Sequence, residues 1–295
     1  MRIAIIGSGI VGQATGMGLA FNGNKVIFYD IDRSKLLALR SNGYDVTDNL
    51  VNAVNGSDVL FICVPTPTVE GRIDLRHIND CSQTIATVLK KSKKYVVVVF
   101  RSTIPPQTTR TKLIPCIEDL SNLKAGVDFG VCMNPEFLRE QSPLKDFLNP
   151  SRIVVGALDE KSGNQLRKIY SPFNCPLIFT DLDTAEMIKY TSNLFLAAKI
   201  SFFNEIYLIC RKLGLDSNAI ANTVALDPRI GSYGVVGGKP FGGMCLPKDL
   251  AAFIDFTKSK GLNPTLLKAV AEVNQEISFY CSINQELAVR TEQSC

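Results

Sequence analysis

One cysteine is set apart from the others by the residues around it. Cys245 follows a glycine-rich stretch, residues 231–243, and precedes a predicted helix. Pro247 lies in the first turn of that helix, where proline is well tolerated. A thiol at a helix N-terminus and beside a lysine, here Lys248, tends to ionise, and the thiolate is the nucleophile. Asp249 lies one helical turn further on, within reach as a base or as an orienting group. The pattern predicts a nucleophilic cysteine, with a buried, inert cysteine as the alternative.

A second set of polar residues recurs at helical spacing. Glu186, Lys189 and Asn193 share one face of a predicted helix. They could form a solvated stripe on an amphipathic helix. Alternatively, the lysine and the asparagine could donate hydrogen bonds to the oxyanion that forms when a thiolate attacks an aldehyde.

Two further polar segments come directly after predicted strands. Residues 134–140 follow one strand, and Thr103 follows another. Ligands in open α/β sheets bind at the carboxyl ends of the strands. We therefore expect both segments to lie on the ligand-binding edge of a sheet.

A glycine-rich turn near the N-terminus predicts a dinucleotide site. Gly7, Gly9 and Gly12 form a G-x-G-x-x-G pattern between a strand and a helix. The spacing allows a tight turn, a close approach to a pyrophosphate, and a helix N-terminus that faces it. Asp30 ends the next strand, where an acid binds the ribose 2′-OH and repels a 2′-phosphate, which favours NAD over NADP. Arg33 lies near enough to weaken that preference.

The first part of the chain alternates apolar strands with helices, which is typical of a parallel sheet covered on both faces. The predicted strands are Arg2–Ile6, Lys25–Asp30, Asp58–Val64, Tyr95–Phe100, Gly130–Met133, Arg152–Gly156 and Pro176–Thr180. The predicted helices between them are Val11–Phe21, Ser34–Arg40, Leu75–Lys90 and Glu160–Tyr170.

The pattern changes after Asp183. One long amphipathic helix is predicted over Thr184–Leu213, and it would serve as a core helix or as a two-fold dimer seam. Further helices are predicted over Ser217–Ala225, over Pro247–Lys260 and from Pro264 onwards. The predicted fold is α/β: a Rossmann-type doubly wound sheet over residues 1–182, an all-helical central domain over 183–280, and a polar tail over 281–295.

Composition excludes several other classes of protein. A net charge of +4 over 295 residues argues against a nucleic-acid-binding protein. With one histidine and no C-x-x-C pair among nine cysteines, we expect no metal site. The chain opens directly into a strand, and its purely apolar runs are short, so we expect no signal peptide and no membrane partner. We expect a reducing, cytoplasmic location.

Six segments, taken together and in order, resemble motifs of the UDP-glucose/GDP-mannose dehydrogenase family. The resemblance covers about residues 1–280 and is somewhat closer to the UDP-glucose branch. The segments are CVPTP (63–67), STIP (102–105), NPEFLRE (134–140), PSRIVVG (150–156), EMIKYTSN (186–193) and FGGMCLPKD (241–249).

The resemblance implies a four-electron oxidation of a sugar CH2OH to a carboxylate, with two NAD. Cys245 would attack the intermediate aldehyde to give a thiohemiacetal and then a thioester, while Lys189 and Asn193 stabilise oxyanions. Asp249, Thr103 and Glu140 would hold and activate water. The expected cofactor contacts are Gly7, Gly9, Ile10, Val11, Gly12, Asp30, Lys35, Thr66 and Thr103. The expected contacts of the nucleotide sugar are Glu136, Phe137, Leu138, Lys189, Asn193, Gly242, Gly243 and Lys248.

The sequence departs from the family pattern at several places. Gln107 and Gln141 stand where the family usually has glycine, and Lys239-Pro240 replaces small or aromatic residues in the glycine-rich stretch. Family members continue into a further α/β domain that helps bind the nucleotide. This sequence ends before it, either as a piece of a longer protein or as a short form.

Three functions therefore remain open at this point. The first is a UDP-sugar 6-dehydrogenase, acting as a homodimer through the long helix. The second is a dehydrogenase of small hydroxy acids, which would need no nucleophilic cysteine. The third is an NAD-binding homologue with impaired catalysis.

Overall fold

The computed structural model describes residues 1–92 and 94–292, with side chains as far as Ile283. The chain forms two compact units. Unit 1 comprises Met1–Pro67 and Ile73–Lys189, and unit 2 comprises Thr68–Arg72 and Tyr190–Cys295. The chain passes from unit 1 to unit 2 for the last time after Lys189, and the domain boundary at residue 182 stays a prediction.

Unit 1 is built around an eight-stranded sheet with the order β3-β2-β1-β4-β7-β8-β9-β10. Its first six positions follow the doubly wound order that binds dinucleotides where the strand order reverses, between β1 and β4. The strands are β1 (Arg2–Ile6), β2 (Lys25–Tyr29), β3 (Asp45–Thr47), β4 (Val59–Ile62), β5 (Thr68–Val69), β6 (Arg72–Ile73), β7 (Val97–Phe100), β8 (Gly130–Met133), β9 (Ile153–Ala157) and β10 (Leu177–Thr180).

Helices follow most of these strands, and two long helices dominate the second half of the chain. They are α1 (Ile10–Phe21), α2 (Arg33–Ser41), α3 (Leu50–Asn55), α4 (Arg76–Leu89), α5 (Ile114–Ser121), α6 (Pro143–Leu148), α7 (Glu160–Tyr170), α8 (Leu182–Leu213), α9 (Ser217–Val224), α10 (Leu246–Ser259) and α11 (Thr265–Glu292). A π-helical turn, Thr109–Leu113, leads into α5.

The sheet of unit 1 is buried on both faces because its strands are apolar on both. In β1, Ala4 and Ile6 belong to one core while Ile3 and Ile5 belong to the other. All four are fully buried. Side chains alternate between the faces of a strand, so a continuous apolar run requires cover on both sides. The predicted α/β fold with a Rossmann-type sheet and a long helix is confirmed.

The sheet is not fully parallel, because its last two strands, β9 and β10, run opposite to the others. β8 pairs with β9 in antiparallel register, while β9 and β10 are parallel to each other. A short, buried apolar run such as residues 153–156 gives no sign in its composition of the direction in which the strand runs. The sequence therefore located these strands but could not orient them.

Helix α8 is, among the described residues, the one helix long and apolar enough to cross a membrane by length and composition. A core helix of a soluble protein meets the same criterion. Buried polar residues of α8 bond to protein partners: within unit 2, Ser201 donates to the carbonyl of Val270 at 2.9 Å, and Asn204 donates to that of Lys239, also at 2.9 Å. These bonds favour a role as a core helix.

Helix α11 extends further than the sequence suggested. Its backbone is helical as far as Glu292, through most of the predicted polar tail at 281–295. The stretch contains leucine, alanine, glutamate and arginine, all good helix formers, which explains why polarity alone misled the prediction. Residues 293–295 lie outside the described part of the chain.

A short hairpin that the sequence reading missed, β5 and β6, supplies a separate strip of chain to unit 2. Its two turn residues, Glu70 and Gly71, have φ of 51° and 79°, as a type I′ turn requires. The Thr68 hydroxyl donates to the carbonyl of Lys248 at 3.2 Å, and Arg72 pairs with Asp255 at 3.6 Å. The hairpin therefore contacts α10 at Lys248, in its first turn, and at Asp255, further along the helix.

Candidate active site

The dinucleotide turn of unit 1 leaves open space where a phosphate would approach. A Cβ at Gly9 would meet no atom within 4 Å, whereas one at Gly12 would lie 1.9 Å from the carbonyl oxygen of Gly7. Gly7 itself has φ of +96°. No side chain caps the N-terminus of α1, so its first N–H groups can bind an anion. Ile10 is exposed beside the turn.

Asp30 lies at the end of β2 with its carboxylate fixed by backbone. Its two oxygens accept hydrogen bonds from the N–H of Ser8 at 2.7 Å and of Asp32 at 2.9 Å. Carboxylate oxygens have lone pairs to spare for a ribose diol. Lys35 lies 3.6 Å from Asp30, and Arg33 instead pairs with Asp48 at 3.1 Å. The turn, the helix end and this acid fit a dinucleotide without a 2′-phosphate.

The segments after β4 and β7 are joined at the same edge of the sheet. The hydroxyl of Thr66 donates to the carbonyl of Thr103 at 2.7 Å, and that of Ser102 donates to the carbonyl of Val64 at 2.6 Å. The structure therefore brings together Thr66 and Thr103, which were both predicted to contact the cofactor.

A buried ion pair lies after β8. The Lys189 ammonium is 2.8 Å from Glu136 Oε1, and Glu136 Oε2 accepts the N–H of Leu138 at 2.7 Å. Burial pushes the pKa of Glu136 upwards, but the charge and hydrogen bond of Lys189, the N–H of Leu138 and the charge of Arg101 together hold that pKa below its usual value. Lys189 also lies 5.7 Å from the ring centroid of Phe137. The solvated-stripe alternative for this helix face is therefore wrong at Lys189.

A buried arginine that the sequence reading missed supports this turn. The guanidinium of Arg101, the residue directly after β7, donates to the backbone carbonyl of Asn134 at 3.2 Å. Asn134 in turn donates to the carbonyl of Val154 at 2.7 Å and accepts from the Tyr170 hydroxyl at 2.6 Å. Among the described residues, Arg101 Nε has no hydrogen-bond partner. The network fixes the segment that carries Glu136.

Glu186 occupies a different environment from Lys189, one helical turn before it. Its Oε1 accepts both the N–H and the hydroxyl of Thr109, at 2.8 and 2.6 Å. Burial raises the pKa of Glu186 to about 7, although the bonds from Thr109 and from the backbone of Gln107 act in the opposite direction. Glu186 thus ties the start of α8 to the π-helical turn before α5.

We expect Glu186→Gln to stabilise the protein at pH 8 and to change little at pH 5. Because the folded-state pKa of about 7 lies above the ordinary value of 4.5, the stability of the native protein falls as pH rises between them. A neutral amide removes that loss, a gain of about 1–3 kcal/mol. Urea unfolding at both pH values measures it.

Glu205→Gln serves as the control, because Glu205 is exposed on the same helix. It should change stability by no more than about 0.5 kcal/mol at either pH. Equal effects of the Glu186 change at pH 5 and pH 8 would contradict the prediction.

In unit 2, a buried carboxylate lies in the first turn of α10. Asp249 is 1% exposed, and its oxygens accept the Asn193 amide and the Lys248 ammonium, both at 2.6 Å. Its backbone N–H donates to the carbonyl of Cys245 at 2.9 Å. The predicted set of Asn193, Lys248 and Asp249 is therefore hydrogen bonded at the start of the helix that Cys245 precedes.

Cys245 differs from the other cysteines in its environment. In the described part of the chain it is the one exposed cysteine. Burial raises the pKa of Cys63 and of Cys81 to about 12, which makes both poor nucleophiles at neutral pH. Cys245 is the N-cap residue of α10, and Gly242 before it has open space around its Cα. The accessible thiol is the one that the sequence singled out.

The remaining predicted residues occupy simpler positions. Glu140 is exposed in a turn before α6, and Val11, Phe137 and Leu138 are half-buried. The residues that sequence reasoning missed are Ser8, Thr68, Arg101, Asn204 and Asn274, which hold the candidate residues in place. Ser8 is a variable position of the glycine turn and the other four belong to no motif named above, so only the three-dimensional contacts identify them.

Family models match both units of the chain. Residues 1–51 and 38–174 match the NAD binding domain of the UDP-glucose/GDP-mannose dehydrogenase family, and residues 183–276 match its central domain. The chain belongs to this family. Unit 1 is accordingly its NAD-binding domain, which agrees with the geometry around Asp30.

Individual relatives agree with the family assignment. The UDP-glucose 6-dehydrogenase TuaD of Bacillus subtilis is 37% identical over 93% of the chain, and the GDP-mannose 6-dehydrogenase of Pseudomonas aeruginosa is 38% identical over 85%. The chain spans 63% of the length of each. The structure of a UDP-glucose dehydrogenase from Pyrobaculum islandicum, 35% identical, superposes with a TM-score of 0.87 over 93% of this chain and 68% of that one.

One departure of this family member has a local physical explanation. Gln107, where the family usually has glycine, adopts φ of 73°, in the left-handed region that glycine tolerates best. At Gln141, the other such position, the backbone is not left-handed. Backbone geometry thus favours glycine at 107 but not at 141.

We expect Gln107→Gly to stabilise the protein by about 1 kcal/mol, because it relieves a side chain in the left-handed region. The midpoint of urea unfolding measures the gain, and Gln141→Gly is the matched control. A gain at 141 but none at 107 would contradict the explanation.

Proposed function

We propose that this chain oxidises the primary alcohol of a nucleotide sugar to a carboxylate, in the manner of UDP-glucose to UDP-glucuronate. The observation that supports it most is the start of α10, where an exposed cysteine precedes a buried aspartate held by Asn193 and Lys248. A hydride transfer alone needs no such cysteine. Its presence in the same chain as an NAD-binding domain favours two successive oxidations.

NAD, when bound, accepts a hydride from the sugar carbon. The residues that would hold it are the backbone of the turn at Gly7, Gly9 and Gly12, with the N-terminus of α1 towards the pyrophosphate. Asp30 would accept hydrogen bonds from the ribose hydroxyls. Ile10, Val11, Lys35, Thr66 and Thr103 complete the cofactor contacts that we assign.

Cys245 supplies the covalent step. Its thiolate adds to the aldehyde carbon produced by the first oxidation, so that a C–S bond forms and the carbonyl oxygen becomes an oxyanion. Protonation of that oxygen gives a thiohemiacetal. The thiohemiacetal then loses a second hydride from the same carbon and the proton of its hydroxyl group, which gives a thioester. Attack by water breaks the C–S bond and releases the acid and the thiol. Each step balances with two NAD and one water per sugar.

Polar groups are assigned to stabilise charge in these steps. Lys189 retains N–H donors beyond its bond to Glu136, and the Asn193 amide retains one beyond its bond to Asp249. Such donors stabilise oxyanions at a site that excludes water. Asp249, Thr103 and Glu140 are assigned to hold and activate the attacking water.

The sugar nucleotide is assigned to residues that follow β8, to residues around the start of α10 and to two residues of the α8 region. They are Glu136, Phe137, Leu138, Gly242, Gly243 and Lys248, together with Lys189 and Asn193. The segments 150–156 and 227–231 resemble the UDP-glucose branch more closely, so UDP-glucose is the substrate that we expect.

The test is NADH formation by the purified protein with UDP-glucose, with GDP-mannose in parallel. Two NADH per UDP-glucose support the proposal. Binding of NAD without turnover of any nucleotide sugar would instead favour an NAD-binding homologue with impaired catalysis. Turnover of a small hydroxy acid, retained after Cys245→Ala, would favour the simpler dehydrogenase.

We also infer that two copies associate through α8. Phe195, Phe202 and Ile209 recur every seven residues on α8, and each is about half exposed or more. Such a stripe is self-complementary about a two-fold axis. Phe202→Lys is expected to shift a dimer towards monomer in light scattering at micromolar concentration, whereas Thr191→Lys, on a polar exposed position, is not. A wild-type monomer at that concentration would contradict the inference.

A further inference from the structure

The segment before Cys245, residues 231–243 and here called the glycine loop, is held by asparagine side chains. Asn204, fully buried on α8, bonds to the loop at two points. Its Oδ1 accepts the N–H of Gly238 at 2.9 Å, and its Nδ2 donates to the carbonyl of Lys239 at 2.9 Å. One side chain thus satisfies two consecutive residues of an otherwise irregular backbone.

A second asparagine bonds to the loop two residues further on. Asn274, on α11, accepts the N–H of Phe241 at 2.8 Å and donates to its carbonyl at 3.2 Å. An amide that makes both bonds to one residue acts like a neighbouring strand. The thiol of Cys281, also on α11, donates to the carbonyl of Gly238 at 3.3 Å.

Packing holds the same part of the loop against α8. A Cβ at Gly237 would lie 2.4 Å from the carbonyl oxygen of Phe203, so only glycine fits. Gly238 has φ of +98°, and the Phe241 ring is buried in the core of unit 2. We name residues 237–241 the loop anchor, since bonds and packing together fix its backbone.

The residues between the anchor and α10 have little packing of their own. Gly242 has open space around it, Gly243 has φ of +73°, and Met244 is 64% exposed. Leu246 packs against the core of unit 2, and Asp249 is buried and bonded to Asn193. Fixed backbone therefore lies on both sides of Cys245, the loop anchor before it and the first turn of α10 after it.

We propose that Asn204 and Asn274 are positioning residues that place the Cys245 thiol by fixing the loop anchor. They act through the backbone of Gly238, Lys239 and Phe241 rather than by touching substrate. The proposal rests on the proposed function, in which Cys245 is the nucleophile. With these two residues, the groups that support Cys245 come from α8 and α11 as well as from the start of α10.

The test follows alkylation of individual cysteines by iodoacetamide across pH, resolved by mass spectrometry. In Asn274→Ala and Asn204→Ala, we expect the pH profile of Cys245 alkylation to move towards that of an ordinary cysteine, with a midpoint at pH of about 8.5. We also expect its rate at pH 7 to fall about tenfold, the fall in thiolate fraction when the midpoint rises by about one pH unit. Profiles equal to wild type in midpoint and plateau would overturn the proposal.

Several controls keep the outcome specific. Cys210 is 3% exposed in the same unit and must stay unreactive in each variant, which shows that the fold is intact. Asn222→Ala removes an exposed asparagine from α9 and should leave the Cys245 profile unchanged. Asn274 is only half-buried, so Asn274→Ala is expected to fold even if Asn204→Ala does not. In that case the Cys245 profile of Asn274→Ala tests the proposal. Asn274→Asp keeps the acceptor for Phe241 and should restore part of the wild-type profile.

Turnover gives an independent measurement. A displacement of about 1 Å in a reacting group lowers kcat about 100-fold, so both alanine variants should lose kcat while their affinity for NAD stays unchanged. The wild-type profile alone tests whether Cys245 is the nucleophile. A wild-type profile like that of an ordinary cysteine would count against that role. Failure of the proposed function and failure of the positioning role are therefore distinguishable.

Discussion

Cys245→Ala is expected to abolish formation of the sugar acid from UDP-glucose, with kcat for that product lower by about 10³-fold or more. Without the thiol, the aldehyde has no covalent partner from which a second hydride can leave. NADH should reach at most one per sugar, against two for the wild type. Coupled measurement of NADH and of the acid distinguishes loss of the second oxidation from loss of both.

A matched variant separates this effect from a general loss of thiols. Cys116 is half-buried in α5 of unit 1 and belongs to none of the candidate groups, so Cys116→Ala should retain both oxidations. Retention of full acid production by Cys245→Ala would remove the nucleophile from the proposed reaction. In that case the family's covalent step would not apply to this chain.

Lys189→Met is expected to have the largest effect on stability, a loss of about 3–5 kcal/mol, because it leaves the carboxylate of Glu136 buried without its partner. The two side chains of this pair are only 4% and 7% exposed. Since the pKa of Glu136 is held below its usual value, the stabilisation is fully present above the ordinary glutamate range and is lost as pH falls from that range through the lowered pKa. Urea unfolding between pH 7 and pH 3 measures both the loss and its pH dependence.

The double variant Glu136→Leu with Lys189→Met tests the physical reason. Replacing both charges by apolar groups should recover most of the stability, since no unpaired charge remains. It should not recover turnover, because both residues are assigned to the reaction. The exposed pair Arg229 and Asp227 is the control, and Arg229→Met should change stability little, because solvent screens this pair. If Lys189→Met and Arg229→Met lowered the stability equally, the role assigned to burial would be contradicted.

The strand and helix pattern of unit 1 was predictable because apolar runs with the right period leave few alternatives. The boundaries of α7 were predicted as the structure has them, and those of α1 and α10 to within a residue. Short elements such as β3, α3 and α6 were missed. Each has fewer than seven residues and too little periodicity to stand out from a loop.

The candidate site was predictable where chemistry needs particular residue types at short spacing. Gly7, Asp30, Cys245 and Asp249 all lie in such segments. The partners that position them come from distant parts of the chain: Ser8 bonds to Asp30 across 22 residues. Other partners are more distant still, and sequence spacing carries no signal of such contacts. That is why Arg101, Asn204 and Asn274 emerged only from the structure.

The hairpin β5–β6 makes unit 2 discontinuous along the chain. A fragment of residues 190–295 would contain Cys245 and α10 but would lack Thr68, which holds the carbonyl of Lys248, and Arg72, which pairs with Asp255. Domain dissection at the end of unit 1 would therefore remove part of the support for the nucleophile's helix. The same connectivity limits recombination between relatives: a crossover at residue 190 would place a hairpin from one parent on a helix from the other.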